Sequence, residues 1–294
     1  MTRVDAHPLA AASTAELSVP TSRLWTVNAT IGYDKRVINE NLSVSIPDES
    51  FTVIVGPNAC GKSTLLRGLS RLLKPGSGQV VLDGQNIHSY KAKEVARKLG
   101  LLPQTSLAPD GIRVADLVAR GRYPYQKLIR QWTPDDEQAV STAMAATGIH
   151  ELSDRLVDEL SGGQRQRVWV AMALAQQTEI LLLDEPTTFL DLTHQIELME
   201  LFTDLHLAGH TLVAVLHDLN QAARYATHLV AMKDGGVVAE GPPAEVLTSD
   251  LVAQVFGLRC LVVPDPVAGT PQVVPLGRDR HRKKETLIEK GGTE

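Results

Sequence analysis

At 294 residues, with 43% hydrophobic and 21% charged side chains, the chain is long enough for one large α/β domain or two tightly joined subdomains. Its formal charge of −5 argues against a general nucleic-acid binder, which carries a basic face or stripe, so no nucleic acid is expected among its partners. The two cysteines, Cys60 and Cys260, are far apart and fit a reducing compartment without a disulfide framework.

Residues 1–22 are rich in Ala, Ser and Thr and read as a flexible lead, without the basic start and apolar core of a secretion signal. The fold is expected to begin near Leu24. Leu42, Val44 and Ile46 alternate with serines, Pro47-Asp48-Glu49 turns the chain, and Phe51–Val55 reads as an apolar strand running into a glycine loop. After the loop, Leu65, Leu66, Leu69, Leu72 and Leu73 predict a helix over 63–73, stopped by Lys74-Pro75-Gly76. Val80–Leu82 and Asp83-Gly84 predict a hairpin. From about Gln104 to Gln177 the pattern is helical throughout, as in a separate subdomain inserted between core strands. Ile180–Leu183 and Thr211–Leu216 are continuous apolar runs of the kind found in parallel strands covered on both faces. Glycine and proline at 235–236 and 241–243 mark later turns. The longest of these apolar runs fall far short of the roughly 20 residues that span a bilayer. Residues 278–294 are polar and charged, and their Arg280, Arg282, Lys283 and Lys284 read as a solvated tail, with weak attraction to anionic lipid as the lesser alternative.

The chemistry concentrates in a few segments. Gly56, Pro57, Asn58, Ala59, Cys60, Gly61, Lys62, Ser63 and Thr64 form a strand–loop–helix phosphate cradle: backbone N–H groups surround the phosphates, Lys62 carries charge to the β and γ positions, and Ser63 offers a hydroxyl to Mg²⁺. Ala59 departs from the glycine often found at that point. Ser161 and Gln164 have capping-box spacing around Gly162 and Gly163, so a helix start with bare N–H groups is expected there, attractive to phosphate. Because that element has no lysine and no metal ligand, it is suited to closing over a nucleotide held by another copy. Asp184 and Glu185 end an apolar strand, Asp184 placed to hold Mg²⁺ and Glu185 to polarise a water. His217 follows the next strand and can reach the γ-phosphate; Gln104 can touch metal or water. Tyr33 can stack on adenine or pack in its strand. His206 and His210 are read as solvated rather than metal-binding.

Together these segments, over about Leu24–Gly277, resemble the ATP-binding-cassette family. The resemblance makes Gly56–Thr64 the Walker A loop, Gln104 the Q-loop, Leu160–Gln164 the signature, Ile180–Glu185 the Walker B strand, Leu190-Asp191 the D-loop and His217 the switch histidine. It implies an α/β fold: a P-loop NTPase core with a mixed sheet, an N-terminal antiparallel β subdomain and an inserted helical subdomain. The ATP-binding domain would run from 23 to 257, with 258–277 a C-terminal extension. ATP and Mg²⁺ would be the cofactors, with Lys62, Glu185 and His217 catalytic and Ser63, Gln104 and Asp184 at the metal. The segments ARGRYPYQ at 119–126, TTFLDLTHQ at 187–195, LHDLNQAARYATHL at 216–229 and GLRCLVVPDPVAGTPQVVPLG at 257–277 resemble ferric-siderophore importer ATPases. Vitamin B12 and haem importers share much of that text, and cassette proteins acting on nucleic acid, the ribosome or cluster assembly form a more distant alternative. The implied partners are a second copy, two membrane permease subunits and, indirectly, an extracytoplasmic substrate-binding protein. The implied place is the cytoplasmic face of the membrane.

Overall fold

The computed structural model describes residues 22–277 except 35, 105–107, 127–131 and 189. The lead (apart from Ser22) and the charged tail assigned from sequence lie outside the described residues. In chain order come β1 (Ser22–Tyr33), β2 (Arg36–Leu42), β3 (Ser45–Pro47), β4 (Phe51–Val55), α1 (Lys62–Leu69), β5 (Ser77–Leu82), β6 (Gln85–Asn86), α2 (Ala92–Val95) and β7 (Leu99–Leu102). Then follow α3 (Val114–Ala119), α4 (Pro134–Ala146), α5 (Gly162–Ala175), β8 (Ile180–Asp184), α6 (Leu192–Leu207), β9 (Thr211–Val215) and α7 (Leu219–Tyr225). The chain closes with β10 (His228–Lys233), β11 (Gly236–Gly241), α8 (Pro243–Val246), α9 (Ser249–Phe256), β12 (Cys260–Pro264) and β13 (Pro271–Pro275).

Three sheets result. An antiparallel sheet is built on β1, with β2, β3 and β5 as partners and β6 beyond β5; a six-stranded mixed sheet runs β11-β10-β4-β9-β8-β7; β12 and β13 form a separate ribbon. Every residue of β4, β8 and β9 is buried, so these strands have two apolar faces. Alternation sorts their side chains into two cores. Phe51, Val53 and Val55 face the core shared with α5, α6 and α7, where Phe51 meets the Phe202 ring edge-on at 6.5 Å. Ile54, Leu182 and Val213 face Leu65, Leu66 and Leu69 of α1 and Leu24 and Leu82 of the antiparallel sheet.

The structure departs from the sequence reading at specific points. The helix expected over 63–73 ends at Leu69, because Arg71 takes a left-handed φ of 68° that no helix continues; Leu72 is left 63% exposed. The alternating run from Leu42 to Ile46 splits between β2 and β3, although Leu42, Val44 and Ile46 all point inward. The short strand β7 has no counterpart in the sequence reading. The hairpin at Asp83-Gly84 forms as expected, both residues taking the positive φ its tight turn requires.

Arg122, from the ARGRYPYQ segment, is a buried hub. Its guanidinium donates to Asp136 Oδ1 (2.9 Å), to the Ala175 carbonyl (2.9 Å) and to Gln177 Oε1 (2.8 Å), and lies 4.0 Å over the Tyr125 ring. One charge thus ties the start of α4 to the end of α5. Burial pushes the Asp136 carboxyl up, but the hydrogen bonds from Arg122 and Thr133 outweigh it and hold the group below the usual carboxylate range. Arg122→Ala leaves that carboxylate buried and unpaired, and urea unfolding at neutral pH should register a loss of about 3 to 5 kcal/mol. A depressed carboxyl stabilises above its unfolded value and ceases to do so as pH falls through its folded value. The gap between wild type and variant should therefore shrink below about pH 4, and a gap independent of pH would count against the pair.

Candidate functional site

The parallel register aligns four strand ends in one row. β4 pairs with β9, β9 with β8 and β8 with β7, so the loop after β4, His217 after β9, Asp184-Glu185 at the end of β8 and Gln104 after β7 emerge side by side. At about 4.8 Å per strand the row spans about 14 Å. It is the sheet edge where open α/β folds take ligands.

A cleft of about 710 Å³ opens over this row, lined by Tyr33, Arg36, Ile38, Asn58, Ala59, Cys60, Gly61, Lys62, Ser63, Thr64, Gln104, Glu185 and His217. Most of the residues singled out from sequence thus meet in one place. Arg36 and Ile38 were not among them; they come from β2, whose sequence carries no motif. The signature residues Ser161, Gly162, Gly163 and Gln164 do not line the cleft.

The phosphate loop is held from behind. Gly61 has a φ of 102°, and a Cβ there would lie 2.4 Å from Asn39 Nδ2. Asn39 is fully buried and donates to the Gly235 carbonyl (3.0 Å), while the Gly235 N–H donates to the Cys60 carbonyl (3.0 Å). The loop is therefore clamped between β2 and the β10–β11 turn. Ala59 itself has a φ of 61°, the left-handed region, where a methyl group is a cost that glycine avoids. Burial also pushes the Cys60 thiol above its ordinary pKa.

Four of the charged or titratable side chains at this strand edge, Lys62, Asp184, Glu185 and His217, are paired within the protein. Lys62, 5% exposed, donates from Nζ to the carbonyls of Gly56 (2.9 Å) and Pro57 (2.8 Å). The Ser63 hydroxyl donates to Asp184 Oδ1 (2.8 Å). Burial raises the Asp184 carboxyl above the usual carboxylate range, and the Ser63 hydrogen bond only partly offsets this. Glu185 accepts from Gln104 Nε2 (2.6 Å) and more weakly from Thr188 Oγ (3.3 Å), and its other oxygen lies 2.6 Å from His217 Nε2. Its backbone φ is 53°, a conformation uncommon outside glycine that recurs at functional sites.

The helix start at Ser161 forms as its spacing predicts: Ser161 Oγ accepts from the Gln164 N–H and Gln164 Oε1 from the Ser161 N–H, each at 3.2 Å. The N–H groups of Gly162 and Gly163, in the first turn, have no helical carbonyl to reach. His206 and His210 depart from the solvated reading: α6 ends at Leu207 and Gly209 (φ 93°) turns the chain back, so both are half-buried and His210 Nδ1 lies 3.1 Å from the Thr178 carbonyl.

Residues 39–188 match the ABC transporter family. The chain belongs to the ABC transporter family. It is 58% identical over 258 residues to the ferric enterobactin transport ATP-binding protein FepC of Escherichia coli, covering 87% of this chain and 95% of that one. It is 51% identical to the achromobactin transport ATP-binding protein CbrD of Dickeya dadantii, covering 88% and 96%. A solved structure described as a metal-chelate type ABC transporter, in an inward-facing conformation, superposes with a TM-score of 0.75 at 26% identity, over 88% of this chain and 99% of that one. The cassette is thus an ATP-binding, ATP-hydrolysing subunit of an ABC transporter, in a family whose members work as dimers with permease partners. Among the described residues no helix is long and apolar enough to cross a membrane.

The clamp behind the loop gives a paired expectation. Gly61→Ala drives a side chain into Asn39 and should reduce ATP affinity by at least about tenfold in equilibrium binding, whereas Ala59→Gly should leave it within about twofold. Equal losses in both variants would show that the loop is not braced at Gly61.

Proposed function

We propose that this cassette hydrolyses Mg-ATP to power import of a ferric-siderophore complex, working as a pair on the cytoplasmic face of a permease that is fed by an extracytoplasmic substrate-binding protein. The observation that carries the reading is near-full-length identity above one half to proteins named for siderophore transport, in a chain whose cleft gathers the groups that phosphoryl transfer needs. In this reading the helical segment of about 104–177 meets the permease.

Mg²⁺ fits the pair formed by Ser63 and Asp184. Both offer hard oxygen donors, and a buried carboxylate whose burial outweighs its neighbours' charges is relieved by a cation at its oxygens. Among the described residues no group of three His, Cys, Asp or Glu side chains could hold a metal by itself, so the remaining ligands would be phosphate oxygens and water, with Gln104 within reach. When bound, the ion supplies charge neutralisation for the β and γ oxygens.

The side chains then divide the work. Lys62 exchanges its two loop carbonyls for phosphate oxygens, a stronger charge-assisted pairing. The backbone N–H groups of Gly56–Thr64 cradle the phosphates, and Tyr33 offers its ring to the adenine. Glu185, steadied by Gln104 and His217, orients the attacking water, and His217 also addresses the γ-phosphate. Ser161, Gly162, Gly163 and Gln164 lie outside their own cleft, which supports a role in capping the nucleotide of the second copy.

Glu185→Gln keeps the hydrogen-bonding shape and removes the base, so hydrolysis should fall at least about 100-fold while ATP still binds and holds a dimer in size-exclusion chromatography. Normal turnover would remove Glu185 from this role. In a strain deleted for the gene, the chain should restore uptake of labelled ferric siderophore. Restoration of vitamin B12 or haem uptake alone would overturn the substrate assignment.

A further inference from the structure

Arg67 stands on α1 one turn beyond Ser63, and positions i and i+4 share a helix face. It therefore lies on the side of the helix that carries the Ser63–Asp184 pair, and its charge helps draw the Asp184 carboxyl down against the effect of burial. From there its Nη1 donates to the Tyr33 hydroxyl (2.9 Å).

Tyr33 ends β1 with 39% of its surface exposed, at the mouth of the cleft. The strand behind it is fixed: a Cβ on Gly68 would lie 2.5 Å from Ile31 Cδ1, so β1 and α1 approach as closely as glycine permits. The ring lies beyond that contact and keeps its own torsional freedom unless its tip is held. A ring free to rotate must lose that freedom when a base arrives, and a ring already held does not. The planar guanidinium, on a stem long enough to leave α1, suits that task.

We infer that Arg67 is a positioning residue for nucleobase recognition, pinning the Tyr33 ring through its hydroxyl at a set distance from the phosphate loop, so that the site favours a nucleoside triphosphate over a bare polyphosphate. This rests on Tyr33 being the base platform proposed above. The phosphate loop binds the part that both ligands share. The Arg67–Tyr33 contact acts on the part that only the nucleotide has.

The test compares ATP with inorganic tripolyphosphate, each with Mg²⁺, on the full chain, and reads the ratio of their dissociation constants. Loss of the Arg67 charge weakens the more highly charged tripolyphosphate at least as much as ATP, so it does not by itself lower the ratio; loss of the contact to Tyr33 weakens ATP alone. Arg67→Gln and the isosteric Tyr33→Phe should each lower the preference for ATP about five- to tenfold, and the double variant should lower it no further. An unchanged ratio in either single variant, or effects that multiply in the double, would overturn the inference. Tyr33→Ala separates the two levels. If it keeps the full preference for ATP, the base-stacking reading fails as well; if it loses the preference while Tyr33→Phe and Arg67→Gln retain it, the inference about Arg67 alone fails.

Discussion

The whole site depends on the register of one parallel ladder. β4, β9, β8 and β7 each deliver a functional segment at the carboxyl end, and these segments meet only because their strands end together. What holds the register is the fit of two different side-chain sets to two different cores: Phe51, Val53 and Val55 pack in one, against the Phe202 ring, and Ile54 packs in the other. A slip of one residue would send each apolar set to the opposite face and shift one catalytic segment against its neighbours by about 3.3 Å. The packing of the strands thus fixes the spacing of Lys62, Asp184, Glu185, Gln104 and His217.

Within that frame the charged groups are arranged for exchange of partners. An unpaired buried charge costs several kcal/mol, and Lys62, Asp184 and Glu185 each have partners within the protein. Lys62 rests on two carbonyls of its own loop, and Glu185 rests between Gln104 and His217. Neutral carbonyls are weaker partners for an ammonium than phosphate oxygens, so in the proposed role a phosphate would replace them with gain. Asp184 differs, because a single hydroxyl does not offset its burial, and its carboxyl stays raised. Lys62 and Glu185 are therefore balanced by their partners, and Asp184 is not.

Chemistry that lies close together in the chain was legible in the sequence. The phosphate loop, the capping box at Ser161 and the turn at Asp83-Gly84 are contiguous, and each needs its residue types for local backbone reasons. The braces were not legible, because their partners are remote. Asn39 and Gly235 are 196 positions apart, Arg67 and Tyr33 are 34 apart, and neither pair belongs to a periodic pattern. β7 escaped because its four residues include Gly100 and give too little alternation to read. The helical extent after the loop was overestimated because Leu72 and Leu73 continue the apolar spacing past a left-handed Arg71, a backbone feature that no side-chain periodicity reports. Arg122 was visible within a recognisable segment, but its hydrogen bonds to residues more than 50 positions away were not.

The signature helix joins the two kinds of segment mechanically. At its start, Gln166 donates to the Pro186 carbonyl (2.9 Å), the residue after Glu185, and Gly163 lies against Leu190 and His194. Just past its other end, Gln176 donates to the Ala96 and Leu99 carbonyls at the entry to β7, and Arg122 grips Ala175 and Gln177. Its 14 residues form a rod about 21 Å long. A packed helix transmits displacement rather than absorbing it, since interiors are dense and poorly compressible. The surface offered by Ser161–Gln164 is therefore tied through one helix to the backbone that carries Glu185 and to the strand that leads to Gln104.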